Sequence, residues 1–220
     1  MQIINRRISK EIRDWFFEKK VLIIYGPRQI GKTTLTQELI KEYENTLFLQ
    51  CQRPSVKNLL ETKNVTQIKS FFGDNNIIIL DEAQVIEDIG LILKLLIDTY
   101  PNLQIIATGS SSFDLSAKFH EPLTGRNIKF NLYPLSISEL SNIFDKFTLV
   151  EKLPEFLIYG FYPDIITTNS IKKKRVKLDE ITSDYLFQDV LMFQNLKKPN
   201  ILDDLLRALA FQVCNEVSYN

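Results

Sequence analysis

Lys32, Thr33, Asp81 and Glu82 are the residues of this 220-residue chain whose types and spacing can do chemistry. Lys32 and Thr33 close a run that starts at Gly26. Pro27, Arg28, Gln29 and Ile30 fill its middle, then Gly31, Lys32, Thr33 and Thr34 follow. A glycine, four free positions and Gly-Lys-Thr is the spacing of a phosphate-cradling P-loop. A polyphosphate needs backbone N–H donors converging from a tight turn. A helix that starts where the turn ends adds its own unpaired N–H groups. A lysine at position 32 reaches the β- and γ-phosphates, and the Thr33 hydroxyl ligates Mg²⁺. Thr34 also fits the first turn of the helix.

Asp81 and Glu82 form the second anchor, at the end of the apolar run Ile77, Ile78, Ile79, Leu80. One acid places the cation and the next polarises the water that attacks a γ-phosphate. Such a pair alone also suits a strand that simply reaches solvent. Behind a P-loop it points to hydrolysis. Gln84 either senses phosphate or caps the next segment. Thr108 and Ser110, just past a further apolar run, could orient water or report hydrolysis. The serines from Ser110 to Ser112 equally suit the cap of a helix over 113–118. Gly125-Arg126 stands before the alternating Ile128, Phe130 and Leu132. Arg126 is a surface group or an arginine finger, supplied within the chain or across a subunit contact. His120 reads as a structural or surface residue rather than a catalyst.

These residues need elements to hold them. Val21 to Tyr25 predicts a strand ahead of the loop, and Leu35, Leu39 and Tyr43 predict a helix behind it. Further strands are expected over Thr46 to Gln50, Ile77 to Leu80 and Leu103 to Ala107, with the Ile77 to Leu80 run buried on both faces. Helices are expected around Val56 to Leu60, Val65 to Phe72 and Ile89 to Ile97. At the start, Ile8, Ile12, Trp15 and Phe16 predict a helix capped by Ser9 and closed by Lys19 and Lys20. Packing against the sheet edge and contact of Ile3 to Ile8 with a base are both open. Ser136 and Glu139 fit a capping box. A helix over 149–159 ends at Gly160, and Pro163 marks a break. The basic run Lys172, Lys173, Lys174, Arg175 and Lys177 suits a solvated linker or helix start. Amphipathic helices follow over 181–193 and 202–213.

Composition narrows the classes. Hydrophobic residues make up 45% of the chain and Lys+Arg equals Asp+Glu at 27 each, so nothing marks it as disordered or globally nucleic-acid binding. Cys51 and Cys214 match no zinc or redox spacing and fit a reducing compartment. A single histidine excludes a histidine-rich metal site. No run approaches a membrane span, and a cytoplasmic location is expected.

The motif series resembles a prokaryotic family of AAA-like P-loop ATPases, the AAA_14/DUF4143-type ATP-binding proteins. It runs from Tyr25–Thr34 through Leu80-Asp81-Glu82-Ala83-Gln84 and Ala107 to Ser112. Leu123-Thr124-Gly125-Arg126, Tyr133-Pro134-Leu135-Ser136 with Glu139, and Tyr159-Gly160-Phe161-Tyr162-Pro163 complete it. Tyr162 departs from the smaller residue of many relatives. The resemblance implies an α/β P-loop NTPase fold, a three-layer sandwich with a mostly parallel five-stranded sheet in the order 5-1-4-3-2, followed by a small helical region. It implies an ATPase core over 1–134, a helical lid or linker over 135–200, and the start of a truncated winged-helix-like segment over 201–220. Relatives are about twice as long, so a chain lacking most of a C-terminal domain is expected.

ATP as the nucleotide also comes from the resemblance, with Mg²⁺ as cofactor. Gly26 to Thr34 would bind ATP, Thr33 and Asp81 the metal. Glu82, Lys32, Arg126 and Ser110 would be catalytic, with Thr108 to Ser110 in the position called sensor 1 in AAA-like proteins. The leading expectation is Mg-dependent ATP hydrolysis coupled to conformational change. A nucleotide-gated protein- or DNA-binding module with little turnover and a P-loop small-molecule kinase are the alternatives. A homo-oligomer, and a protein client or DNA reached through the missing region, are the expected partners, with no membrane.

Overall fold

Five short apolar runs build the sheet: β1 (Val21–Tyr25), β2 (Thr46–Gln50), β3 (Ile77–Asp81), β4 (Gln104–Gly109) and β5 (Asn127–Asn131). The computed structural model describes residues 4–110, 123–186, 199–212 and 215. Strand order is β2-β3-β4-β1-β5, and every pairing is parallel. This is the order 5-1-4-3-2 read from the other edge. All strands point the same way, so their C-terminal ends gather the loops that carry chemistry.

The side-chain alternation of β1 explains the three layers. Val21, Ile23 and Tyr25 face one core, with Ile78, Leu80, Ile105 and Ala107. Against them pack α3 (Pro54–Glu61), α4 (Val65–Phe72) and α5 (Ile89–Thr99) through Val56, Leu60, Ile68, Phe72, Ile92 and Leu96. Leu22 and Ile24 face the other core, with Ile77, Ile79, Ile106 and Phe130. Here α1 (Ile8–Arg13) and α2 (Lys32–Ile40) cover the sheet through Ile12, Leu35 and Leu39. Ile77, Ile78, Ile79 and Leu80 are all fully buried, as a strand between two helix layers requires. Each such side chain contributes about 1.5–3 kcal/mol.

α1 differs from its expected form. It ends at Arg13, and Arg7 rather than Ser9 stands at its N-cap, without a side-chain cap. Trp15 therefore lies beyond the helix and is 38% exposed, while Phe16 stays buried. Phe17 and Lys19 take positive φ in the turn that leads into β1. Gln104 fixes that turn, accepting from the Phe17 N–H at 2.6 Å and donating to the Lys20 carbonyl at 3.2 Å.

After β5 come α6 (Ile137–Leu140), α7 (Lys146–Tyr159) and α8 (Pro163–Ile166). The capping box is present: Ser136 accepts from the Glu139 N–H and Glu139 accepts from the Ser136 N–H. Asp145 caps α7, one turn earlier than expected, and Gly160 ends it with positive φ. Pro163 starts α8 instead of breaking a helix, because the first helical position needs no N–H donor. Leu135, Leu140, Phe156 and Ile166 form a third, smaller core, against which Ile4 packs.

The chain divides into two compact units, the first ending at Thr168 and the second beginning at Asn169. The second contains α9 (Ile171–Glu180), which runs on into a π-helical stretch (Ile181–Leu186), and α10 (Pro199–Phe211). The basic run lies on α9, where Ser170 caps the helix. The serines at 111 and 112, His120, and the readings over 187–198 and beyond 215 lie outside the described residues. No described helix is long and apolar enough to cross a membrane.

Candidate functional site

β1 ends at Tyr25, and the next residue meets a wall. The Gly26 N–H donates to the Gly109 carbonyl at 3.3 Å, and the Leu132 N–H donates to the Tyr25 carbonyl at 2.7 Å. A Cβ at Gly26 would sit 2.6 Å from the Leu132 carbonyl oxygen. Only glycine fits there. Gly26→Ala is expected to destabilise the protein by about 1–3 kcal/mol through overpacking. A denaturant titration checks this, and an unchanged midpoint would mean that the Leu132 segment yields without cost.

The loop then coils back on itself. Pro27 and Arg28 are half-buried, Gln29 takes φ 58° and Gly31 φ 95°. Ile30 anchors the loop by burying its side chain in the α2-side core. Left-handed residues inside such a loop turn successive N–H groups inward. α2 starts at Lys32, so its unpaired N–H groups point at the same concavity. Thr34 is exposed on the first turn.

Lys32 is 5% exposed, and its ammonium donates to the Gly26 carbonyl at 3.0 Å and the Pro27 carbonyl at 3.1 Å. It also lies 3.7 Å from Glu82 Oε1. The lysine thus spans the mouth of the loop that it closes.

The acids stand beside it. Asp81 is buried at the end of β3 and accepts from the Thr33 hydroxyl at 3.0 Å. It accepts again from the Thr108 hydroxyl at 2.6 Å, and Thr108 in turn accepts from the Glu82 N–H at 3.0 Å. One hydroxyl therefore fixes both acids. Glu82 sits in the left-handed region at φ 54°, ψ 45°, a strain of order 1–3 kcal/mol for a residue with a Cβ. That turn swings its side chain toward Lys32 and away from the strand axis. Its Oε2 accepts from Gln84 Nε2, while the buried Oε1 of Gln84 has no hydrogen-bond partner.

Cys51 lies just behind, its N–H donating to the Asp81 carbonyl at 2.9 Å. Burial first, then the negative charges of Asp81 and Glu82, push its thiol up to about 12. It is an inert apolar residue, as expected for a thiol that stays protonated.

Ser110 is 2% exposed and follows Gly109, so it lies at the loop end of the sheet. Arg126 lies at the other end. It precedes β5, its carbonyl accepts from the Val21 N–H, and its guanidinium pairs with Asp98 at 2.7 Å on the surface. β1 has five residues between that end and the loop. At about 3.3 Å each they span roughly 16 Å. Arg126 is thus the one expected site residue that the structure separates from the others, and its own loop is out of reach.

A small cleft opens on the outer side of the loop. Asn5, Arg6, Gly31 and Thr34 line it, with apolar walls from Ile4, Leu35, Leu135 and Pro163. The stretch from Ile4 to Ile8 thus does two jobs: Ile4 and Ile8 pack in cores while Asn5 and Arg6 face the cleft. Ile3 lies outside the described residues.

Residues 18–141, more than half of the chain, match the model of a family described as an AAA domain. The chain belongs to that family. Residues 150–220 of this AAA-domain chain match a domain of unknown function, DUF8612. An uncharacterized protein of Methanocaldococcus jannaschii is 25% identical over 99% of the chain and 51% of its own length. Another from Haemophilus influenzae is 27% identical over 88% of the chain and 52% of its own length. The chain thus spans about half the length of these curated relatives. A Walker-type ATPase of Pyrococcus abyssi has the same fold, with a TM-score of 0.53 at 16% identity over 96% of this chain and 78% of its own. The AAA-domain match brings ATP binding and hydrolysis as the family's character.

Mg²⁺ fits the residues present. Thr33 and Asp81 converge as oxygen donors, the set this ion takes when phosphates and water supply the rest of its shell. Among the described residues no group of three acidic, cysteine or histidine side chains gathers.

Two features of the site carry little sequence signal. Thr108 rather than Ser110 makes the hydrogen bonds to Asp81 and Glu82. The strand register explains this, since Leu80 pairs with Ala107 and so sets Thr108 beside Asp81. The hydrogen bonds from Arg6 to Glu139 and to the Ile30 and Tyr133 carbonyls are the second.

Proposed function

We propose that this chain binds ATP with Mg²⁺ and hydrolyses it to ADP and phosphate, and that the cycle drives a conformational change. The observation that carries the reading is the convergence of Lys32, Thr33, Asp81, Thr108 and Glu82 at one sheet end, each within 3.7 Å of another. That set matches the parts that phosphoryl transfer to water needs.

The roles follow from the geometry. Backbone N–H groups from Gly26 to Thr34 cradle the phosphates. Lys32 leaves the Gly26 and Pro27 carbonyls for the β- and γ-phosphate oxygens. Thr33 and Asp81 would hold Mg²⁺, which would supply charge neutralisation at the phosphates. Glu82 then loses its cationic neighbour and takes the proton of the attacking water. Thr108 keeps the Glu82 peptide in place, and Ser110, next to Gly109 at the end of β4, contacts the terminal phosphate in this reading. The apolar cleft beside Thr34 takes the base. A kinase would be harmed by a base poised to activate water, so Glu82 favours hydrolysis. Slow turnover with a large nucleotide-dependent change in binding remains the second reading. The engagement of Glu82 by Gln84 and Lys32 favours it, because the base is occupied until nucleotide arrives.

Arg126 serves the nucleotide of a neighbouring copy in this reading, since it cannot reach its own. The client, protein or DNA, and a cytoplasmic location complete the proposal. Phosphate release from ATP and Mg²⁺, measured at several protein concentrations, tests it. The expected result is a rate per subunit that rises with concentration, and an Arg126→Ala protein whose rate stays low throughout, by about 10³-fold or more if it acts as fingers do. A rate per subunit independent of concentration would remove Arg126 from the site. Absence of turnover with ATP bound would leave the nucleotide-gated module.

A further inference from the structure

Arg6 is a buried guanidinium that the hydrolysis chemistry does not use. Its side chain is 8% exposed and that of its partner Glu139 is 7% exposed. Each of its nitrogens donates to a different element. Nε reaches Glu139 Oε1 at 3.0 Å, Nη1 the Ile30 carbonyl at 3.2 Å and Nη2 the Tyr133 carbonyl at 2.5 Å. Ile30 belongs to the phosphate loop. Tyr133 follows Leu132, the residue that backs Gly26. Glu139 belongs to α6.

Glu139 is itself held on every side. It accepts from the Arg7 N–H at 2.9 Å and from the Ser136 N–H at 2.9 Å. Burial pushes its carboxyl up, but the hydrogen bonds from Ser136, Arg7 and Arg6 outweigh this and hold it below its ordinary value. A charged pair buried this deeply costs desolvation, and its hydrogen bonds must offset that cost. A planar guanidinium can serve three such acceptors at once, whereas an ammonium on a flexible stem cannot match that fork. The elements joined here are the ones that wall the base cleft: the arm at Ile4 and Asn5, the loop at Ile30 and Gly31, and Leu135 before α6.

We propose that Arg6, oriented by Glu139, is a positioning residue for nucleotide binding, locking the phosphate loop to both walls of the base cleft. The inference rests on the nucleotide reading above. A preformed cleft spares nucleotide the cost of ordering it, so the lock acts on affinity. Arg6 contacts no reacting phosphate in this scheme, so the chemical step depends on it less.

The test is equilibrium binding of a fluorescent ATP analogue with Mg²⁺, alongside steady-state turnover and thermal unfolding of each variant. Arg6→Ala is expected to weaken binding by about tenfold, the order of one charge-assisted hydrogen bond. KM should rise by more than kcat falls. Arg6→Lys should not rescue it. Glu139→Gln should weaken binding in the same direction, and the double variant should bind little worse than Arg6→Ala alone, because Glu139 acts through Arg6. Wild-type affinity in Arg6→Ala overturns the proposal, as does full additivity of the two single losses. If Arg6→Ala does not fold, Glu139→Gln decides by itself, and wild-type affinity in that variant overturns the proposal. A wild-type chain that binds no analogue overturns the nucleotide reading itself, and this inference with it.

Discussion

Glu82→Gln is expected to lower ATP turnover by about 10²–10⁴-fold, the usual contribution of a positioned general base, while ATP binding survives. The substitution is isosteric and removes the basicity together with the negative charge. The amide oxygen can still accept from Gln84, so the side chain keeps its orientation. The backbone also stays put, since the Glu82 N–H bonds to Thr108 and the left-handed turn does not depend on the carboxylate. In the nucleotide-free protein the change removes the negative partner lying 3.7 Å from Lys32. The lysine then has one less attraction to overcome on reaching the phosphates. Affinity for ATP should therefore hold or rise while phosphate release falls. Single-turnover phosphate release together with equilibrium ATP binding measures both. A variant that hydrolyses ATP at the wild-type rate would remove Glu82 from catalysis and leave Asp81 as a purely metal-placing acid. A variant that loses binding as well would show that Glu82 shapes the phosphate loop.

What the sequence shows of this site is its local part. The P-loop is contiguous, and its strand and helix flank it directly. Asp81 and Glu82 are legible because β3 is buried on both faces, which makes a continuous apolar run stop abruptly at charge. Strand positions follow from the same logic. Strand order does not, because five parallel strands with similar apolar runs give no order by periodicity, and that order came from resemblance. Ser9 was misleading for a physical reason. A serine ahead of an apolar face suits an N-cap, but Arg6 and the Arg7 N–H are both bonded to Glu139, which starts the helical turn earlier. Arg6 and Glu139 are 133 positions apart, so no pattern within an element could pair them. In sequence Arg126 reads as a finger for its own site, a finger for a neighbour's, or a surface group. The parallel register of β1 with β5 removes the first option, because it sets Arg126 beside the start of β1 rather than its end.

Lys32→Ala is expected to weaken ATP binding by about 100-fold or more, since one buried ammonium supplies two or more charge-assisted hydrogen bonds worth about 1.5–3 kcal/mol each. The free protein shows why no other group replaces it. The ammonium is almost fully buried between the Gly26 and Pro27 carbonyls and Glu82, with its stem fixed by the first turn of α2. Thr33 and Thr34 bring hydroxyls to the same turn but no charge. Without the ammonium, Glu82 faces the incoming phosphates uncompensated, which adds repulsion to the lost attraction. Lys32→Arg should restore little, because a wider planar head must fit where a compact one spans two carbonyls about 3 Å away. The loop itself should stay folded, since Gly26 and Ile30 anchor it through Gly109, Leu132 and the α2-side core. Calorimetric titration with ATP and Mg²⁺, beside a thermal melt of the free variant, separates these terms. Lost binding with a near wild-type melt is the expected result. Intact binding in Lys32→Ala would mean that phosphates do not occupy this loop, and the assignment of Asp81, Glu82 and the base cleft would fall together, because all three are placed relative to it.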